Sequence, residues 1–259
     1  YQKTRHLFGP IKLEVLGPDG KVVDTISATK RRGLNRVAWS MQVKSPRVPR
    51  AATVAFGASQ GPRVVPGTYT VRLTKVTETI EEKLAIGLDR RAPFSVADRK
   101  ENFAAAMRVH GLFSEMSGLV DQIEMARAGA QARSKALPEA DDLGKRLRDV
   151  SNQLEDIRKK IVATKEGGAI TGEERLREHT DDLYSVLVNW EGRPGKYQIE
   201  RIDVLKRELD EVKGEFNTFA AQKIRPVNDA LQQRKLEPIL TSPSSVSAAT
   251  SAAQGGATP

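Results

Sequence analysis

The 259 residues are 39% hydrophobic and 29% charged and include three histidines and no cysteine. That composition suits one or two folded domains and excludes a disulfide framework, thiolate metal ligation and a cysteine nucleophile. The net charge of +9 is uneven: residues 1–100 hold 19 Lys+Arg against 8 Asp+Glu, and the remaining 159 hold 23 against 25. The basic character therefore belongs to the N-terminal part, and the asymmetry points to two domains. No apolar run approaches the roughly 18 residues that a bilayer span needs. The chain opens on Tyr1 with no signal-type segment behind it, which reads as a cut made inside a longer polypeptide.

From Tyr1 to about Asp89 apolar residues recur at every second position, punctuated by Gly and Pro. Ile11, Leu13 and Val15 alternate with Lys12 and Glu14, the pattern of a half-buried strand. Gly17-Pro18-Asp19-Gly20 is a turn, because proline presets φ at its second position and glycine closes it. Lys21–Ile26 then returns as the second arm of a hairpin. Leu34–Ser40 is predicted as the next strand, with Val37 and Trp39 on one face. Lys44–Arg63 is a long proline-containing excursion with one short strand near Thr53–Phe56. Pro66-Gly67 turns into Thr68–Thr74, where Tyr69, Val71 and Leu73 share a face, and Thr79–Leu88 supplies one more strand. Short strands at this spacing predict an antiparallel sandwich over residues 1–92, burying Val15, Val37, Trp39, Tyr69, Val71, Leu73, Leu84 and Ile86.

After Arg90 the period becomes helical. Ser95, with Asp98 three residues on, is an N-cap for a helix from Ala97 to about Leu137. Gly111, Gly118 and Gly129 each weaken it by roughly 1 kcal/mol relative to Ala if exposed, so a kink or a close neighbour is expected. Pro138 fits the first turn of a second helix, with Glu139, Asp141 and Asp142 suiting its N-terminus. In that helix Leu143, Leu147, Val150, Leu154, Ile157 and Ile161 step by four and three, an a/d seam. Glu166-Gly167-Gly168 ends it, and Thr171 with Glu174 forms a capping box for a third helix carrying Leu176, Thr180, Leu183, Leu187 and Trp190. Gly192–Gly195 breaks the chain. A fourth helix carries Ile202, Leu205, Leu209, Val212, Phe216 and Phe219, and Pro226 is expected to stop or bend it. Short connections predict antiparallel neighbours and an up-down helical bundle over 93–240. The uncharged Ser/Ala/Thr/Gly/Pro stretch of 241–259 reads as a disordered tail.

The chemistry-bearing patterns are sparse. G-x-S-x-G, Walker A and G-x-G-x-x-G sequences are absent, and His6, His110 and His179 lie at no metal-ligating spacing. No cofactor and no metal is expected. Glu81/Glu82, Asp141/Asp142, Glu173/Glu174 and Asp181/Asp182 are adjacent carboxylates, whereas glycosidase chemistry needs two that face each other across a cleft. The strongest functional candidates are two basic clusters, Lys30-Arg31-Arg32 and Lys44…Arg47…Arg50, a positive surface for nucleic acid, an acidic glycan or a lipid headgroup. Solvated loop charge is the plainer reading of both. Trp39 and Tyr69 lie in phase with apolar neighbours, which favours core packing over a sugar platform.

Gly33-Leu34-Asn35-Arg36-Val37-Ala38-Trp39-Ser40, followed by Val65-Pro66-Gly67-Thr68-Tyr69-Thr70-Val71-Arg72-Leu73, resembles a known pattern. It is similar to the Ig-like domain that lies C-terminal to sortilin-type (Asp-box, sialidase-like) β-propellers in large bacterial secreted proteins. A similar sandwich occurs in the flagellar hook-capping protein. The segment from Lys165 to Leu176 is similar to a coiled segment that follows this domain in one branch of such proteins. Ser40 stands where those relatives often carry Asp. The resemblance implies an Ig-like sandwich whose first strand is incomplete, an extracellular or periplasmic location, and an upstream propeller to which any hydrolase site would belong. The expectation is a non-catalytic structural or interaction segment that contacts the propeller or another protein, with the helices as spacer or oligomerisation element. Polyanion binding through Lys30, Arg31, Arg32, Lys44, Arg47 and Arg50, and membership of a glycosyl hydrolase with its active site upstream, are the alternatives.

Overall fold

The computed structural model describes residues 10–30, 33–165 and 172–241. Four strands form one antiparallel sheet: β1 (Ile11–Leu16), β2 (Val22–Ile26), β3 (Gly67–Lys75) and β4 (Glu78–Ile86), in the order β2-β1-β3-β4. The β1–β2 hairpin closes on the turn read from the sequence. Gly20 takes φ +76°, a conformation natural to glycine, and the Gly17 amide donates to the Lys21 carbonyl at 2.8 Å. In the register Val15 faces Asp24 and Leu16 faces Val22, so Val23 is an extra, bulged residue. Its side chain packs against the cluster of Val15, Val64 and Tyr69, together with Ile26, Trp39, Val43 and Ile86. The Trp39 indole N–H donates to the Gln42 carbonyl at 3.1 Å and the Tyr69 hydroxyl to the Val65 carbonyl at 2.8 Å. Tyr69 is buried in the cluster and Trp39 half-buried against it, each with its polar end satisfied.

The expectation of an Ig-like β-sandwich followed by an up-down antiparallel helical bundle is corrected by this architecture. Leu34–Ser40 forms no strand: Leu34 is 96% exposed and Val37 is exposed too, while Gly33 and Met41 take positive φ and break the extended line at both ends. Thr53–Phe56 forms no strand either, and Gly57–Ser59 is a 3₁₀ turn. Without those strands the described residues form no second sheet. The inner face is covered instead by Trp39, Val43 and Val64 from irregular segments, and Leu84, assigned to the core, is exposed.

The helices are α1 (Val96–Lys135), α2 (Asp142–Ile161), α3 (Leu176–Val188), α4 (Lys196–Phe219) and α5 (Arg225–Gln233). Ser95 and Asp98 form the reciprocal cap of α1: the Asp98 amide donates to Ser95 Oγ at 3.1 Å, and the Ser95 amide to Asp98 Oδ2 at 3.0 Å. For α2 the cap is Asp141, which accepts from the Gly144 amide at 3.0 Å, so Pro138 lies in the turn ahead of the helix rather than inside it. Thr171 and residues 166–168 lie outside the described residues, but neither proposed boundary holds: α2 already ends at Ile161, and residues 172–175 are not helical, so α3 begins at Leu176, where Glu178 accepts from the Arg175 amide at 3.2 Å. Between α4 and α5 the chain keeps its helical course through a five-residue π-helix, Ala220–Ile224. Pro226 follows at the start of α5. The widened turn accommodates a proline ring that would clash with the carbonyl four residues back in an ordinary α-helix.

The chain divides into two compact units built from interleaved segments. The first comprises Tyr1–Pro46, Phe56–Gly111 and Asp182–Glu200, and the second Arg47–Ala55, Leu112–Asp181 and Arg201–Pro259. The helices are thus not one body following the sheet: α1, α3 and α4 contribute to both units. In the first, the Asn102 amide donates to the Leu187 carbonyl at 3.3 Å and the Tyr184 hydroxyl to the Gln60 carbonyl at 3.0 Å, tying α1 and α3 to each other and to the 56–65 segment. In the second, every residue of the α2 seam is buried. Polar pairs join Ser134 to Arg148, Arg127 to Glu155 and Glu124 to Arg158. The α1 positions fall as the α2 positions rise, so these two helices run antiparallel.

Candidate interaction surface

The first unit contains a cleft of about 490 Å³. Its walls come from three places: the β1–β2 turn with Val22 and Val23, the irregular segments bearing Val43, Lys44, Val64 and Val65, and one face of α1 carrying Phe103, Met107 and His110. Tyr69 closes it from β3. The irregular segments are held by backbone pairing. Val43 donates to the Pro62 carbonyl at 3.0 Å, Val64 to the Met41 carbonyl at 2.9 Å, and Lys44 to the Val23 carbonyl at 3.1 Å. Gly61 makes this approach possible, since an added Cβ would fall inside the contact radius of the Val43 carbonyl oxygen.

Polar groups sit among or around these apolar walls. His110 Nε2 lies 3.0 Å from the Lys44 carbonyl oxygen, and because a carbonyl only accepts, the proton of that bond belongs on Nε2. Asp19 accepts from the Lys21 backbone amide at 3.2 Å and pairs with its ammonium at 3.4 Å, and the backbone bond is the main reason its carboxyl is held below the ordinary range. Beside the 56–65 segment, Arg99 is buried and donates to the Arg63 carbonyl at 3.2 Å, with burial pulling its pKa down. Burial likewise pushes the Tyr69 phenol up.

The basic residues singled out from the sequence are scattered. Lys30 and Lys44 lie in the first unit and are exposed. Of the four that are described, only Lys44 lines the cleft. Arg47 and Arg50 belong to the second unit, where Arg47 pairs with Asp121 at 2.5 Å and its carbonyl accepts from Ser117 at 2.9 Å. Arg31 and Arg32 lie outside the described residues, as does His6. His179 has Glu174 at 3.9 Å. The carboxylate pairs act as surface and capping groups: Glu81 faces Arg72 at 2.7 Å, Asp141 caps α2, and Glu173 accepts from the Thr164 amide at 2.8 Å. Trp190, assigned to the α3 seam, lies past the helix end, 49% exposed and edge-on to Phe94 at 5.0 Å.

Among the described residues no group of three or more His, Asp or Glu side chains is placed to hold a metal ion, and no helix is long and apolar enough to cross a membrane. The cleft itself was not legible beforehand. Phe103 and Met107 fall within the helix expected from Ala97 to Leu137 with nothing in their spacing to single them out, and Val43, Val64 and Val65 flank the excursion of Lys44–Arg63. The one local signal was the apolar character of those loop ends. No protein-family model, curated protein or solved structure matches the chain.

Proposed function

We propose that the chain is a non-catalytic interaction segment whose cleft in the first unit receives the apolar side chains of a polypeptide partner. The observation that carries this is the lining: valines, Tyr69, Phe103 and Met107 form the walls, while the charged groups of Asp19, Lys21 and Lys44 accompany them. Such a lining gives affinity through desolvation and orientation through a few polar groups. It offers no nucleophile held against a base, the arrangement that covalent catalysis needs. The test is selection of binding peptides from a random library against the full chain. Peptides with an apolar anchor should be enriched, and their binding should fall at least tenfold on Met107→Lys with the circular dichroism unchanged. Enrichment of peptides indifferent to Met107→Lys would overturn the assignment.

That the partner is an upstream β-propeller, and that the setting is extracellular or periplasmic, rests on sequence similarity alone, that of the Ile11–Val23 hairpin, Gly33–Ser40, Val65–Leu73 and Lys165–Leu176. Binding of the separately expressed upstream polypeptide to this chain would test it. Polyanion binding is the second reading. It is favoured by the side chains of Lys30, Lys44 and Arg50, which are exposed and have no ion pair among the described residues. Retention on a heparin column at low salt, falling steeply as salt rises, is its expected signature. Absence of retention removes it.

A further inference from the structure

We infer that β4 is a self-recognition edge, through which two copies of the chain join their sheets around a two-fold axis at Glu82. β4 is an outer strand, nine residues long, free of proline, and paired only with β3 among the described residues. All its residues but Ile86 are exposed, including Ile80 at 60% and Leu84 at 38%. An edge of this kind presents unpaired backbone donors and acceptors to any strand that can lie beside it.

The register of the sheet shows which strand fits. Directly opposed residues of an antiparallel pair share a face. On the inner face Ile26, Leu13, Leu73 and Ile80 stand opposite one another in succession, an apolar row that crosses all four strands and ends exposed at β4. On the outer face the row is Glu14, Arg72 and Glu81, alternating in sign, with Arg72 and Glu81 in contact at 2.7 Å.

A two-fold axis normal to the sheet reverses β4 and keeps its faces on the same sides. The axis must then pass through a residue, so the possible registers differ by two. Centred on Glu82, Ile80 meets the second copy's Leu84 and Glu81 meets the second copy's Lys83, each twice. The apolar row then runs on into the second copy's Leu84 and Tyr69, and the charged row continues its alternation with Lys83. Centred on Glu81, Ile80 would face Glu82 and Glu81 would face itself. Centred on Lys83, Leu84 would face Glu82 and Lys83 would face itself. Only the Glu82 register sets the two exposed apolar residues Ile80 and Leu84 against each other and acid against base; its unfavourable contacts are the Glu82 pair on the axis and, at the ends of the strand, Glu78 opposite Ile86. The same charges discourage out-of-register stacking into longer sheets, because other alignments lose these pairs.

The full 259-residue chain should therefore show a concentration-dependent monomer–dimer equilibrium by light scattering and sedimentation. Ile80→Lys, at an exposed position, should leave the circular dichroism unchanged and abolish the dimer. Glu82→Gln should tighten it by up to about fivefold, the scale of one relieved cross-strand repulsion. Glu81→Lys and Lys83→Glu should each weaken self-association, yet the two variants mixed should form a heterodimer, because both opposed pairs then regain opposite charge. The absence of native cysteine allows a direct register test: Glu82→Cys should give a disulfide-linked dimer under mild oxidation, whereas Thr79→Cys should not. A monomer at every concentration overturns the inference. So does a dimer that survives Ile80→Lys or that Glu82→Cys fails to trap, since either outcome would place the contact elsewhere.

Discussion

The sheet of the first unit and the helix α2 of the second are stabilised in different ways. α2 buries one continuous stripe, Leu143 to Ile161, and its neighbours meet that stripe along its length. The sheet buries its inner face around Val15 and Tyr69, under side chains delivered by irregular chain, buries Glu14 and Leu16 on the other face of β1, and leaves β4 open. Helix burial follows from a local repeat that any neighbouring helix can satisfy. Sheet burial depends on which distant segment happens to cover it.

The largest expected effect lies in the continuous stripe. Leu154→Ala empties a fully buried position and should cost about 2–5 kcal/mol, read from urea unfolding of the second unit. A similar truncation at half-buried Leu73 in the sheet should cost clearly less; equal losses would break the contrast between the two regions. Gly61→Ala probes the cover of the sheet. Its Cβ meets the Val43 carbonyl, so the two segments must separate, at about 1–3 kcal/mol, with increased hydrogen exchange at the Val43 and Val64 amides. Unchanged exchange would show that the cover does not depend on that close approach. Ser95→Ala removes the reciprocal cap of α1 and should cost about 1 kcal/mol in thermal unfolding.

The smallest effect is that of pH on the helical region. The Asp141 carboxyl is held below its ordinary range first by the Arg234 guanidinium at 2.7 Å and then by the Gly144 amide. A carboxyl depressed in the folded state binds protons more readily when the chain unfolds. Its stabilisation is therefore complete above the ordinary carboxylate value of about 4 and is lost as pH falls through the lower folded value. Asp141→Asn should lower the melting temperature near neutral pH, where the pairing is fully present, and flatten the acid limb of the profile so that the two chains converge below that window. An identical acid limb in the variant would show that other carboxyls, such as Glu155 beside Arg158, dominate.

Much of this was readable from the residues themselves. The β1–β2 hairpin, β3, the Ser95 cap and the α2 seam each rest on contacts within a few residues, where turn chemistry and periodicity act directly. The strand expected at Leu34–Ser40 failed because alternation makes a strand only where another strand accepts its hydrogen bonds. Among the described residues no strand pairs with that stretch, and Gly33 and Met41 take positive φ at its two ends. The candidate cleft was invisible for the same reason. Phe103, Met107, Val43 and Val65 are far apart in sequence and are ordinary residues until the backbone pairing of Val43 with Pro62 brings two segments beside α1.

The sequence by itself determined the local geometry: where helices start, which stripe each buries, and which turns join β1 to β2 and lead into β3. These depend on propensities, caps and periods that act over one or two turns of chain. Only the tertiary structure decided that there is one sheet rather than two, that the helices divide between two units, and that Lys44 stands at a cleft while Arg47 pairs with Asp121. Those outcomes turn on long-range pairing and burial, whose free energies depend on what else the folded chain brings to the same place.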